Sequence, residues 1–214
     1  MTLLIGITQR VENVDAYRER RDCLDQKWIS LFESLDVILL PIPNKLEDVA
    51  WYLEQFKFNG FILSGGNDIA NIPGASNIAP ERDVTETGLL TYATINELPI
   101  LGVCRGMQMM NSYCGGELVK VNNHVGSRHN IVSAEGVDLV PDKNEVNSFH
   151  GWGIMESGLA DQLYPIAYAE HDGSVEGIAN RELPWVGIMW HPEREEPASE
   201  SDLKLIKDLF GLNI

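Results

Sequence analysis

Apolar positions in the first half of the chain fall into short runs that alternate with helically spaced sets. Thr2–Thr8 is a run rich in Leu and Ile around Gly6, which reads as a buried strand. Leu24, Trp28, Leu31, Phe32 and Leu35 recur at i, i+4, i+7, i+8 and i+11, one face of an amphipathic helix. Val37–Pro41 is strand-like again, and Leu46, Val49, Ala50 and Leu53 mark a second helix over Leu46–Phe56. Gly60–Leu63 is a strand that ends in Ser64-Gly65-Gly66. Thr85–Leu98 has the pattern of a third helix. Leu98–Val103 reads as a strand running straight into Cys104, and Arg105–Tyr113 as a fourth helix ending before Gly115-Gly116.

The second half changes character. Glu117–Val121, His129–Ser133, Ile166–Glu170, Ser174–Ala179 and Trp185–Trp190 are short strand candidates separated by turns, and Ser201–Phe210 closes the chain as a helix with Leu203, Ile206, Leu209 and Phe210 apolar. Strands alternating with helices predict a parallel sheet covered on both faces, and the later strands predict an antiparallel extension of that sheet. The fold class is therefore α/β, a three-layer sandwich with a mostly parallel central sheet. The break near residue 116 reads as a change of topology within one domain spanning 1–214. The polar stretch Asn67–Pro80 reads as a loop at the sheet's C-terminal edge.

Composition narrows the function. Lys and Arg number 16 against 32 Asp and Glu, a formal charge of −16 that repels phosphate backbones and anionic lipid, so neither nucleic acid nor a membrane surface is expected as partner. An anionic small molecule would need local arginines. The opening MTLLIGITQR lacks the basic, apolar and cleavage regions of a signal peptide, and no apolar run approaches a membrane span. Three cysteines, Cys23, Cys104 and Cys114, are an odd number with no zinc spacing, so a cytoplasmic protein is expected.

Three motifs carry candidate chemistry. In Gly102-Val103-Cys104-Arg105-Gly106 a cysteine sits at a strand–turn–helix crest between two glycines, the G-x-S-x-G elbow with Cys in place of Ser. The N-terminus of the following helix favours a thiolate there. A lone cysteine would read as a packed core residue; the flanking glycines argue against that. In Trp190-His191-Pro192-Glu193 a base and an acceptor stand two apart in an extended segment, so that Glu193 can orient His191 toward a thiol. His191 taken alone reads equally well as a surface histidine beside the acidic run Glu193, Glu195 and Glu196. In Ser64-Gly65-Gly66-Asn67-Asp68 a double glycine ends a buried strand. The peptide N–H groups of Gly66 and Arg105 are the candidate oxyanion donors, although a bare Gly-Gly is more often an ordinary turn.

Together with RD at Arg82-Asp83, GVCRGMQ at Gly102–Gln108, GGELV at Gly115–Val119, NSFHGWG at Asn147–Gly153, AEHDGSVEGI at Ala169–Ile178 and MWHPE at Met189–Glu193, these motifs resemble the class I glutamine amidotransferase-like superfamily, specifically its γ-glutamyl hydrolase branch. The likeness covers nearly the whole chain. The opening GITQR and Tyr17–Trp28 resemble a subgroup tied to surface-polysaccharide synthesis, whose hydrolases free a CDP-linked amine from a γ-glutamyl cap.

The resemblance implies a flavodoxin-like topology and a Cys104–His191–Glu193 triad acting through a γ-glutamyl thioester, with no metal or cofactor required. It implies substrate contacts from Gln108, Asn147, Ser148 and His150. Trp152 stands where some relatives carry Gln, which alters the leaving-group contacts. Arg10, Arg20, Arg21 and Arg82 are candidates to meet a nucleotide-bearing leaving group. His124, His129 and His171 lack metal-like spacing and read as surface or packing residues, as do Cys23 and Cys114, with Met107, Met109 and Met110 as core filler. Two other functions remain open: a glutaminase subunit passing ammonia to a separate synthase, and a non-catalytic binding protein on the same fold.

Overall fold

A computed structural model describes residues 3–137 and 144–212. Thr2 of the first expected strand lies outside them. Strand β1 (Leu3–Thr8) is followed by the hairpin β2 (Arg10–Val14) and β3 (Glu19–Cys23), then α1 (Gln26–Glu33), β4 (Val37–Ile42), α2 (Val49–Glu54), β5 (Gly60–Leu63), α3 (Pro80–Ile95), β6 (Ile100–Val103) and α4 (Arg105–Tyr113). The second half runs β7 (Val119–Lys120), β8 (Val125–Ser133), β9 (Glu145–Phe149), β10 (Trp152–Gly153), β11 (Leu163–Ala169), β12 (Val175–Asn180), β13 (Trp185–Ile188) and α5 (Glu200–Phe210).

Nine strands form one sheet in the order β4-β1-β5-β6-β13-β12-β11-β8-β9. The first five are mutually parallel, and β12, β11, β8 and β9 continue antiparallel, as the sequence pattern predicts. Trp28, Leu31 and Phe32 of α1 and Leu205, Ile206 and Phe210 of α5 pack in one core with Ile5, Ile62 and Val103. Leu53 of α2, Leu89 and Leu90 of α3 and Met107 and Met110 of α4 pack in the other with Phe61 and Ile100. The sandwich thus has three layers. Three helices begin where short polar side chains take up free N–H groups: Asp25 caps α1, Asp48 caps α2 and Ser199 caps α5. Among the described residues no helix is long and apolar enough to cross a membrane.

Two departures from the sequence expectation matter for the site. Helix α3 starts at Pro80, five residues before Thr85, because its first turn buries Arg82 by pairing it rather than by apolar spacing. The hairpin β2–β3 has no apolar signature. Its register sets Glu12 opposite Arg21 and Asn13 opposite Arg20; it is tied down by Asn67, whose side chain bonds both the N–H (2.8 Å) and the C=O (3.0 Å) of Val11, and by Asn44, which donates to Asp22.

Candidate active site

Strands β1, β5, β6 and β13 all end at the same edge of the sheet, and the segments that leave them converge there. An open α/β sheet places its ligand crevice at this carboxyl edge. The segment after β6 is Cys104, at φ 53° and ψ −107°, a conformation that costs an L-residue about 1–3 kcal/mol. The glycines around it are needed for close approach. A Cβ on Gly102 would lie 2.4 Å from the Met110 sulfur, and one on Gly106 would lie 2.0 Å from the Leu63 carbonyl oxygen. The strained crest therefore comes from packing α4 directly onto β5 and β6.

After β13 the chain enters His191. Its Nδ1 lies 2.7 Å from Glu193 Oε1, and both side chains are 2% exposed. Asn147 grips this segment from β9: its amide N donates to the His191 carbonyl at 2.9 Å and its oxygen accepts from the His191 N–H at 2.9 Å. The imidazole also packs edge-on against Phe149, whose ring is in turn covered by the Arg194 guanidinium. Burial alone would push the His191 pKa down. The negative charge on Cys104, reinforced by Glu193, outweighs it and raises the value to about 9. Burial opposes ionisation of the Cys104 thiol, but His191, and to a smaller degree His150 and the Arg105 N–H, hold it below the ordinary thiol value. The two groups therefore favour each other's charged forms, thiolate and imidazolium.

The third segment, after β5, supplies the opposite wall. The carbonyls of Gly65 and Gly66 accept from Arg82 Nη1 at 3.0 and 2.6 Å. In a trans peptide the N–H points away from its C=O, so the Gly66 N–H is turned from Arg82 toward the cleft that Gly66 lines. Gly66 does this at φ 88°, a left-handed conformation that favours glycine. Gly65 is equally constrained, since a Cβ there would lie 2.7 Å from His191 Cε1.

These segments enclose a cleft of about 270 Å³ lined by Gly66, Cys104, Arg105, Gln108, His150 and His191, with Arg10 and Arg194 also contributing. Gln108 donates to the Trp152 carbonyl at 2.8 Å, and His150 Nδ1 donates to the same oxygen at 2.9 Å, so both are held against one wall.

Five of the expected substrate and leaving-group residues do not line the cleft, and their side chains are engaged elsewhere. Asn147 is occupied by His191 and Glu195, and positions the histidine rather than a ligand. The Ser148 side chain is buried against the His124 carbonyl, on the far side of its strand. Arg82 is fully buried, paired with Glu86 and the Gly65–Gly66 turn. Arg20 pairs with Glu81 and Arg21 with Glu19, and neither lines the cleft. Phe149, Arg194 and the buried anchor Glu86 were not picked out from sequence. Phe149 and Glu86 gave no signal beyond their type, whereas Arg194 directly follows the His-Pro-Glu motif. His124, His129, His150 and His171 are gathered into one cluster, with the His124 ring centroid 4.8, 4.6 and 4.8 Å from the other three in that order, although their spacing in the chain gives no hint of it.

Two expected outcomes follow from this geometry. Iodoacetamide should alkylate Cys104 rapidly near neutral pH, and His191→Ala should slow that reaction at least about tenfold by returning the thiol toward its ordinary pKa. Reactivity that ignores the histidine would break the proposed pairing. Asn147→Ala should lower kcat by about 10²-fold with little change in KM, because it displaces the imidazole and touches no ligand. An effect confined to KM would return Asn147 to the substrate-binding set.

The family model described as Peptidase C26 matches residues 3–193. The chain is 32% identical over 212 residues to a gamma-glutamyl-CDP-amidate hydrolase of Campylobacter jejuni, covering 98% of each chain. It is 29% identical over 160 residues to a carbamoyl phosphate synthase small chain of Symbiobacterium thermophilum, covering 74% of this chain and 39% of that one. The structure of a glutamine amidotransferase from Thermotoga maritima superposes with a TM-score of 0.66 at 18% identity, over 97% of this chain and 84% of that one, which shows the shared fold.

Proposed function

Because the chain belongs to the Peptidase C26 family, of the class I glutamine amidotransferase-like proteins, we propose that it is a cysteine-dependent hydrolase of a small γ-glutamyl amine. The products are glutamate and the free amine. The observation that carries this reading is the His191–Glu193 pair at 2.7 Å coupled to the Cys104 thiol, in a cleft small enough to suit a glutamyl group.

In this mechanism His191 holds the thiol proton while the Cys104 sulfur attacks the γ-carbonyl carbon. The carbonyl electron pair moves onto oxygen, where the N–H groups of Gly66 and Arg105 stabilise it. Collapse breaks the C–N bond, and the departing amine takes its proton from the His191 imidazolium, leaving a γ-glutamyl thioester. Water gives a proton to His191 and attacks the thioester. The second oxyanion collapses, the thiolate leaves and glutamate departs. Glu193 keeps Nδ1 protonated and the ring oriented throughout. Gln108, which lines the cleft, is the side chain proposed to meet the glutamate portion, and His150 shapes the same wall.

The name of the Campylobacter relative supports an amine linked to cytidine diphosphate. Arg10 and Arg194, both on the cleft, are the guanidinium groups available for its phosphates. Turnover should peak between the depressed Cys104 pKa and the raised His191 pKa. As pH falls the thiolate is protonated; as pH rises through about 9 His191 loses the proton that the leaving amine needs.

A second reading, a glutaminase delivering ammonia to a separate synthase, is favoured by the likeness to the carbamoyl phosphate synthase small chain. A screen of γ-glutamyl amides, nucleotide-linked ones included, with mass spectrometry of the products decides. Release of an amine from a γ-glutamyl conjugate supports the hydrolase. Ammonia from glutamine as the only product supports the glutaminase.

A further inference from the structure

Beside the cleft, the histidines have been collected around a buried carboxylate. His124 precedes β8, His150 follows β9 and Glu176 lies in β12, so three separate segments meet there. The His124 and Glu176 side chains are at most 1% exposed and that of His150 is 2% exposed. Their polar atoms are close without being hydrogen-bonded to each other. His124 Nδ1 stands 3.6 Å and His150 Nε2 3.5 Å from Glu176 Oε1. Among the described residues, His150 Nε2 and Glu176 Oε2 are buried with no hydrogen-bond partner.

The outer bonds explain which atoms face inward. Asp172 is fixed as an acceptor by the Ser174 N–H at 3.0 Å and the Ser174 hydroxyl at 2.8 Å, both donating to its Oδ1. Its carboxylate lies 2.9 Å from His124 Nε2, which therefore carries the proton and leaves the Nδ1 lone pair inward. Ser148 Oγ, 3.4 Å from that Nδ1, already gives its proton to the His124 carbonyl at 2.7 Å. The Trp152 carbonyl takes the Nδ1 proton of His150 at 2.9 Å and leaves Nε2 inward. Two imidazole nitrogens and a carboxylate thus converge, with the second ring nitrogens fixed by a carboxylate and a backbone carbonyl, the outer arrangement that metal-binding histidines use. Metal–ligand bonds of about 2.0–2.1 Å in tetrahedral geometry put ligand atoms about 3.3–3.4 Å apart, close to the two imidazole–carboxylate separations, and the ligand atoms of all three residues lie within 4.8 Å of one another.

We infer that His124 Nδ1, His150 Nε2 and Glu176 Oε1 form a binding site for a divalent first-row transition metal of the zinc type. A two-imidazole, one-carboxylate donor set suits that class better than calcium or magnesium. The Nε2 of His129, whose side chain is 7% exposed, lies 3.3 Å from Glu176 Oε2. The metal would tie the segments bearing His124 and His150 to β12, and so anchor the cleft wall that His150 contributes. The site is independent of which amide the Cys104 centre cleaves, and its test reads binding, not turnover.

The experiment uses the full chain carrying Cys104→Ala, so that the thiol cannot bind metal. Chelator-treated protein is titrated with Zn²⁺ by calorimetry and with Co²⁺ by visible absorption. One saturable equivalent is expected, with a cobalt spectrum lacking thiolate charge transfer. His124→Ala should weaken Zn²⁺ binding at least about 100-fold. Asp172→Asn, at a partly exposed carboxylate, should weaken it about 10- to 100-fold and keeps the test alive if His124→Ala does not fold. Absence of saturable binding to the Cys104→Ala protein, or an affinity unchanged by Asp172→Asn, overturns the site.

Discussion

Cys104→Ala is expected to lower kcat/KM for a γ-glutamyl amide by about 10⁴- to 10⁶-fold while leaving the circular dichroism spectrum and the denaturant midpoint close to those of the parent protein. The size follows from losing the nucleophile of a covalent mechanism, in which the remaining oxyanion donors and binding contacts retain only a residual acceleration. The lack of a stability change follows from the backbone. Alanine meets the same penalty as cysteine at φ 53°, so the strain of the crest is unaltered. Cys104→Gly should be equally inactive but more stable by about 1 kcal/mol or more, since glycine adopts this conformation without that cost. Steady-state kinetics with thermal or urea melts of the three proteins check both statements. Substantial turnover by either variant would remove Cys104 from the reaction. A Cys104→Gly protein no more stable than the parent would show that the crest stores no strain.

Glu86→Ala should cost about 3–5 kcal/mol of stability, read as a fall in the urea midpoint at constant m-value. Glu86 is fully buried and is shared by the Arg82 guanidinium at 2.8 Å, the Arg105 guanidinium and the Thr8 hydroxyl at 2.7 Å. Removing it leaves two buried cations with Asp83 as their remaining close carboxylate, a partner of Arg105. Burial opposes the Glu86 charge, yet the Arg105 and Arg82 cations hold its pKa below the ordinary carboxylate value. A depressed folded pKa contributes stability that is present above the unfolded value and is lost as pH falls through the folded one, so the parent should lose this contribution only in strong acid. The same network positions the site. Arg82 holds the carbonyls behind Gly66, and the Arg105 side chain is drawn away from the cleft while its N–H stays there. Activity of Glu86→Ala should therefore fall with its stability. An unchanged midpoint would mean that the two arginines find equivalent partners elsewhere.

Much of the molecule was legible from residue order. Helix α4 follows the predicted Arg105–Tyr113, and β5 and β6 end where the sequence places them, because short continuous apolar runs bounded by glycine admit few other solutions. The hairpin β2–β3 and the early start of α3 were missed for one reason. Their positions are set by paired charges and by the Asn67 clamp, which leave no period in hydrophobicity.

By itself, the order of residues determined the kind of chemistry: a cysteine between two glycines, a histidine two places before a glutamate, and a double glycine at a strand end are local signatures, and each survives reading one segment at a time. The tertiary structure alone decided which polar residues face the cleft and which hold it together. Asn147, Ser148 and Arg82 look like ligand-binding groups in the chain but are spent on His191, on the His124 carbonyl and on the Gly65–Gly66 turn. The histidines converge only because antiparallel pairing brings β8, β9 and β12 into one sheet. The physical reason is that apolar patterning fixes which face of an element is buried, whereas the partner of a buried polar group is set by long-range register, which no local window contains.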